Sequence, residues 1–161
     1  MEIAYLADHP EYIGELAQLH FDEWGYLNPG ETFQRRIDRL TAECGRLAIP
    51  TMVVALNEQE LVGSAALVAH DMSDHRSLTP WLASVFVKPA FRRRGVGSML
   101  VRRIEHEATA LGIRTLYLFT PSAAPLYERL GWTLLEHCRY KGVEVDIMSR
   151  PLPAEMDSAA S

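Results

Sequence analysis

Apolar positions along the chain repeat with two periods, and the switches between them outline the elements. Residues 2–6 alternate as a short strand. From 9 to 24, Tyr12, Ile13, Leu16, Leu19 and Phe21 form a helical stripe, with Asp8 or His9 near its start. Asn28-Pro29-Gly30 interrupts the chain, and a more polar helix is predicted over 32–44, ending near Gly45. The apolar, partly β-branched runs 51–56 and 61–69 flank a polar turn, the pattern of an antiparallel hairpin. A polar loop over 70–79 leads to a strand at Trp81–Val87. Val96, Met99, Leu100, Ile104, Ala108 and Leu111 then share one face of a helix over 95–111, which Gly112 ends. A short strand at 115–119, a short helix at 125–130 closed by Gly131, and a hairpin of 132–140 with 143–148 complete the pattern. The Pro/Ala/Ser tail from Pro151 reads as disordered. The order β-αα-βββ-α-β-α-ββ predicts an α+β fold in a single domain over 1–150. Its sheet is mixed and mostly antiparallel, with six to seven strands, about four flanking helices and one parallel crossover through the central helix.

The junction into that central helix is the most informative stretch. Val87-Lys88-Pro89 ends the strand, and Arg92-Arg93-Arg94-Gly95-Val96-Gly97-Ser98 opens a helix with no acidic residue in its first turns. Amides at a helix start lack intrahelical partners and sit at the positive end of the dipole. Gly95 and Gly97 let a ligand approach the main chain, and the arginines add charge. These residues make an anion cradle suited to a pyrophosphate.

Composition narrows the class. A chain of 161 residues, 48% hydrophobic and 23% charged, suits one soluble globular domain with a real core. No apolar run is long enough to cross a bilayer, and the N-terminus lacks a signal-peptide pattern, so a cytoplasmic protein without membrane partners is expected. Cys44 and Cys138 form no CxxC pair and read as reduced thiols. The net charge of −5 divides unevenly: the first 80 residues carry 13 acids against 5 arginines, and the remainder 8 acids against 11 bases. An acidic chain with only local basic residues does not suit a nucleic-acid platform. The acidic half either faces a cationic partner or merely solvates helices.

Val87-Lys88-Pro89, Arg92-x-x-Gly95-x-Gly97, Leu100 and the later Leu126-Tyr127-Glu128-Arg129-Leu130-Gly131-Trp132 together resemble the GNAT superfamily of acyl-CoA N-acyltransferases. The resemblance covers roughly residues 50–150, and the two N-terminal helices by position only. Neither a G-x-x-x-x-G-K-[ST] loop nor a dinucleotide G-x-G-x-x-G is present, which argues against ATP or NAD. The resemblance implies acetyl-CoA as co-substrate, with backbone amides from Arg93 through Gly95, Val96, Gly97 and Ser98 holding its pyrophosphate. Arg92 and Arg93 supply charge. Arg94 counts with them among the coenzyme-binding candidates, although three consecutive arginines cannot all face one ligand and one or two screen solvent. It also implies a pantetheine arm paired with main-chain groups of Val85, Phe86 and Val87 where two strands splay. An amide of Val85 or Phe86 would polarise the thioester carbonyl. Tyr127 matches the family's general acid; the alternative is a packed tyrosine whose hydroxyl is satisfied by backbone. Many relatives place an Asn where this chain has Thr120. Thr120 or Ser122 either replaces it as a hydroxyl or serves turn chemistry.

A protonated alkylamine has only about one molecule in a thousand free at neutral pH, so a proton acceptor is expected. Candidates are Glu23, Asp22 or His20 at the end of the first long helix, Asp74 or His75 in the polar loop, and water chains. Ser84 reads first as a small strand residue and second as a water-positioning hydroxyl. His70-Asp71-x-x-Asp74-His75 lacks the spacing of a known metal finger, so no metal is expected. Trp24, Tyr26, Phe33 and Trp81 either line an acceptor pocket or belong to the core. The expected activity is direct acetyl transfer from acetyl-CoA to an amine in a ternary complex, the acceptor being a cationic small molecule or a peptide N-terminus. The alternatives are a non-catalytic acyl-CoA sensor and a transferase for longer acyl chains or hydroxyl acceptors. Oligomeric state stays open, a homodimer being the commonest closed assembly.

Overall fold

A computed structural model describes residues 1–153. Strand β1 (Glu2–Tyr5) leads through two 3-10 turns into α1 (Ile13–Trp24) and α2 (Phe33–Ala42). The hairpin β2 (Thr51–Asn57) and β3 (Glu60–Val68) and the strand β4 (Trp81–Val87) follow. Then come α3 (Val96–Ala110), β5 (Thr115–Thr120), α4 (Ala124–Arg129), β6 (Thr133–Tyr140) and β7 (Val143–Pro151). All seven strands join one sheet in the order β1-β2-β3-β4-β5-β7-β6, antiparallel except between β4 and β5. The expected element order is found. The first helical stripe starts later than its apolar pattern, however: the chain runs as 3-10 turns at Leu6–Asp8 and Pro10–Tyr12 before α1, with Pro10 in a first turn where its missing N–H costs nothing.

Side-chain alternation sorts the core into two layers. Val53, Ala55, Leu116 and Leu118 pack on one face with Leu100, Val101 and Ile104 of α3. Met52, Val54, Leu56 and Ala66 pack on the other with Leu16 and Ala17 of α1 and Leu40 of α2. Both faces of β2 and β3 are therefore covered, which explains their unbroken apolar runs. Leu100, Val101 and Ile104 are fully buried, each contributing about 1.5–3 kcal/mol, and this anchors α3 with its N-terminus aimed past the end of β4. Disorder from Pro151 is not found at the first two residues of the expected tail. Pro151 pairs with Thr115, and buried Leu152 fills the α3 layer while its N–H donates to Arg114 O at 2.8 Å. Residues 154–161 of that tail lie outside the described residues.

Two irregularities of β4 shape the site. Against β3, Ser64 pairs with Phe86 but Ala66 pairs with Ala83, so Ser84 and Val85 together oppose one residue, and Ser84 takes a left-handed φ of 54°. Against β5, the ladder is one pair long, Trp81 with Tyr117. Beyond that pair the two strands separate, and the rest of β4 has no β5 partner in the ladder. Gly63 lets the β3 and β4 backbones meet closely, since a Cβ there would lie 2.5 Å from Phe86 O and 3.1 Å from a Leu100 methyl.

Candidate active site

The gap between β4 and β5 opens into a cleft of about 890 Å³, lined by Leu82 to Val87 of β4 and by Leu118, Phe119 and Thr120 of β5. That volume lies toward the upper end for small-molecule sites. One end of the cleft is the start of α3. Gly95 takes φ 80°, and no side chain caps the helix. The first intrahelical bond near this end runs from Met99 N–H to Gly95 O at 3.1 Å, so the amides of Val96, Gly97 and Ser98 precede it, and all three residues line the cleft. Arg92 and Arg93 line it as well. Arg92 Nε donates to Val87 O at 2.8 Å, tying the loop to the strand. Arg94 does not line the cleft; its guanidinium stacks over Phe91 at 5.5 Å from the ring centroid. Arg94, expected among the coenzyme-binding residues, is therefore turned away from the cleft that Arg92 and Arg93 line.

Tyr127 reaches the cleft from α4. Its ring packs edge-on against Trp132, with centroids 6.1 Å apart, and Trp132 N–H donates to Tyr127 O at 2.9 Å. Among the described residues the phenol has no hydrogen-bond partner, so the packed alternative with a backbone-satisfied hydroxyl is not what the fold provides. Burial pushes its pKa up to about 12, which keeps the proton on at neutral pH. Thr120 also lines the cleft, and its Oγ1 accepts from Ala123 N–H at 2.9 Å and Ser122 N–H at 3.4 Å. Turn chemistry therefore uses its oxygen, while the hydroxyl proton stays available.

A buried polar chain backs the bulge. Arg36 Nε and Nη2 donate to His20 Nδ1 at 3.2 and 2.6 Å. A guanidinium can only donate, so Nδ1 accepts and the imidazole proton sits on Nε2. Nε2 donates to Ser64 Oγ at 2.8 Å, and that hydroxyl donates to Ser84 O at 2.8 Å. Burial first, then Arg36 and Arg39, hold the His20 pKa well below its usual value. His20 is thus a neutral brace for β4, with both nitrogens occupied. Ser84 Oγ accepts from Arg36 Nη2 at 3.2 Å, so this hydroxyl is also engaged.

Of the other proton-acceptor candidates, Glu23 lines the cleft but is exposed. Asp22 does not line it and accepts from Gln18. The loop motif splits between two places. His75 turns to β6, bonding Asp74 at 2.7 Å and Glu136 at 3.2 Å, and its ligand atom, that of Glu136 and that of Cys138 lie within 4.8 Å of one another. His70 and Asp71 face the cleft. Asp71 is a cleft-lining acid that the proton-acceptor candidates left out. Burial pushes its carboxyl up to about 6, against the opposing pull of Arg39, Arg36 and Lys141. The available signal was Met72, a large apolar residue beside it in a polar loop; it is fully buried and draws its neighbour inward. Arg36 was missed too, although its position one turn before buried Leu40 puts it on the inward face of α2.

Trp24 and Tyr26 line the cleft, whereas Trp81 is core and Phe33 is exposed and away from it. Only two of the 13 acids in the first 80 residues, Glu23 and Asp71, line the cleft. Among the described residues no helix is long and apolar enough to cross a membrane.

Residues 49–134 match the family model described as an acetyltransferase (GNAT) domain. No curated protein sequence matches significantly. The fold is similar to an aminoglycoside 6'-N-acetyltransferase solved with coenzyme A, with a TM-score of 0.76 and 18% identity, covering 95% of this chain and 98% of that one. It is similar to the aminoglycoside 6'-N-acetyltransferase of Enterococcus faecium, with a TM-score of 0.73 and 18% identity over 95% and 98% of the two chains. It is also similar to a phosphinothricin acetyltransferase of Sinorhizobium meliloti solved with AcCoA, with a TM-score of 0.65 and 21% identity over 94% and 88%. At these identities the likeness is one of fold.

Proposed function

The chain belongs to the GNAT acetyltransferase family, and from that premise we propose that it moves an acetyl group from acetyl-CoA directly to the nitrogen of a small amine. The observation that carries this reading is a juxtaposition. The uncapped start of α3 and the free phenol of Tyr127 open onto the same cleft, along the stretch of β4 that β5 leaves unpaired. The residues fit a coenzyme A ligand: Val96, Gly97 and Ser98 offer amides to the pyrophosphate, and Arg92 and Arg93 add charge-assisted bonds. Main-chain groups of Val85, Phe86 and Val87 offer ladder bonds to the pantetheine amides, and the Thr120 hydroxyl can donate one more.

Bound acetyl-CoA supplies an acyl thioester: as the amine nitrogen bonds to the acyl carbon, the C–S bond breaks and the electron pair leaves on sulfur. The amide of Val85 or Phe86 at the bulge polarises the thioester carbonyl. Asp71 accepts the proton that the ammonium must lose, directly or through water. Tyr127 donates its hydrogen bond to the leaving sulfur. Its pKa of about 12 exceeds that of a free thiol, about 8.5, so the phenol stabilises the departing charge rather than surrendering its proton, and the thiol is completed from solvent. The sum is ammonium plus thioester giving amide, free thiol and one released proton.

Following thiol release with acetyl-, propionyl- and succinyl-CoA against an amine panel tests the proposal. Acetyl-CoA should be the preferred donor with an amine-dependent rate. Binding of acetyl-CoA without any amine-dependent thiol release would convert the reading to a sensor.

A further inference from the structure

The cleft is lined by more cations than carboxylates, although the half of the chain that builds much of it is acidic. Besides Arg92 and Arg93 of the cradle and Arg129 of α4, four cations line it (Arg36, Arg39, Arg76 and Lys141) against two carboxylates, Asp71 and Glu23, the latter 3.9 Å from Arg92. Arg36 is the telling one. It is 7% exposed, and its hydrogen bonds go to His20 and Ser84, both neutral. Among the described residues it makes no ion pair with a carboxylate. Its Nη1 has no acceptor there either and, unlike the sealed Glu43 Oε1, is not cut off from the cleft. A buried guanidinium without an anion is costly, and the fork geometry of Arg suits a carboxylate. Arg39 lies one turn further along α2, half-exposed, with a single long contact to Glu43 at 3.9 Å. Asp71 feels Arg39, Arg36 and Lys141 yet, among the described residues, pairs with none of them, and all four line the cleft.

Resting on the acetyl-transfer reading, we infer that the acceptor is an amine that also carries an acidic group, an amino acid or amino-acid-like molecule. Arg36 Nη1 and Arg39 hold the acid group, which directs the amine toward Asp71 and the bulged stretch of β4. Global charge points toward a cationic acceptor instead; the inference follows the lining, because most of those acids sit on outer surfaces.

The test measures initial rates with acetyl-CoA against the free L-amino acids, their C-terminal carboxamides, spermidine and kanamycin, alongside calorimetry of acetyl-CoA binding. At least one free amino acid should exceed its carboxamide in kcat/KM by tenfold or more. Arg39→Gln, a change at an exposed position, should bring that ratio close to one, chiefly through KM. Binding of acetyl-CoA with acetylation only of carboxamides, spermidine or kanamycin, or of nothing in the panel, overturns the inference alone. Absence of acetyl-CoA binding overturns the acetyl-transfer reading beneath it.

Discussion

Tyr127 and Asp71 face one cleft with opposite proton preferences, and each is set by its surroundings. Burial raises both, but the phenol stays protonated throughout the working range while the carboxyl titrates near neutrality. Tyr127→Phe should therefore lower kcat by about 10²-fold, the cost of removing one hydrogen-bond donor aimed at developing charge, with acetyl-CoA affinity in calorimetry unchanged. The pH profile of kcat/KM should rise through pH about 6 as Asp71 loses its proton, because only the carboxylate can accept one. Asp71→Asn should abolish that limb, and a limb that persists in the variant would reassign the acceptor to Glu23 or water. Tyr127 was legible in the sequence because its motif fixes it on a short helix. Asp71 was not, because a single acid in a polar loop looks solvated until the burial of Met72 is known.

The elements acquire function where their regularity fails. The bulge at Ser84 and the one-pair ladder between β4 and β5 expose main chain that a regular sheet would consume. The His20–Ser64 bonds brace that irregular backbone from behind. Strand and helix positions followed from apolar periodicity, and the α3 cradle from its Arg/Gly run. The bulge did not, because Ser84 and Val85 read as ordinary alternation and a register shift depends on the partner strand. Gly63 ties the strands at this point. Gly63→Ala would drive a Cβ against Phe86 O, so a loss of about 1–3 kcal/mol is expected in urea unfolding, with weakened acetyl-CoA binding as β4 moves. Stability and affinity both at the wild-type level would show that β4 can shift freely.

Across the whole molecule, two apolar layers hold a sheet whose central gap is the site. The helix packed on one layer brings its starting amides to the gap beside Arg92 and Arg93, and α2 on the other layer brings Arg36 and Arg39 to it. Net charge, read along the chain, favours a cationic acceptor because it weighs every acid alike, whereas of the acids in the first 80 residues only Glu23 and Asp71 line the cleft. Ligand linkage gives a global readout: at a hundred times its Kd, acetyl-CoA should stabilise the fold by about 2.7 kcal/mol. The most direct test of the central claim is calorimetric titration of the intact protein with coenzyme A and, separately, with pantetheine, which lacks the pyrophosphate. If the start of α3 grips that group, coenzyme A should bind at one site at least about a hundredfold more tightly, as several charge-assisted bonds require. Equal affinities, or no heat with coenzyme A at millimolar concentration, would contradict it.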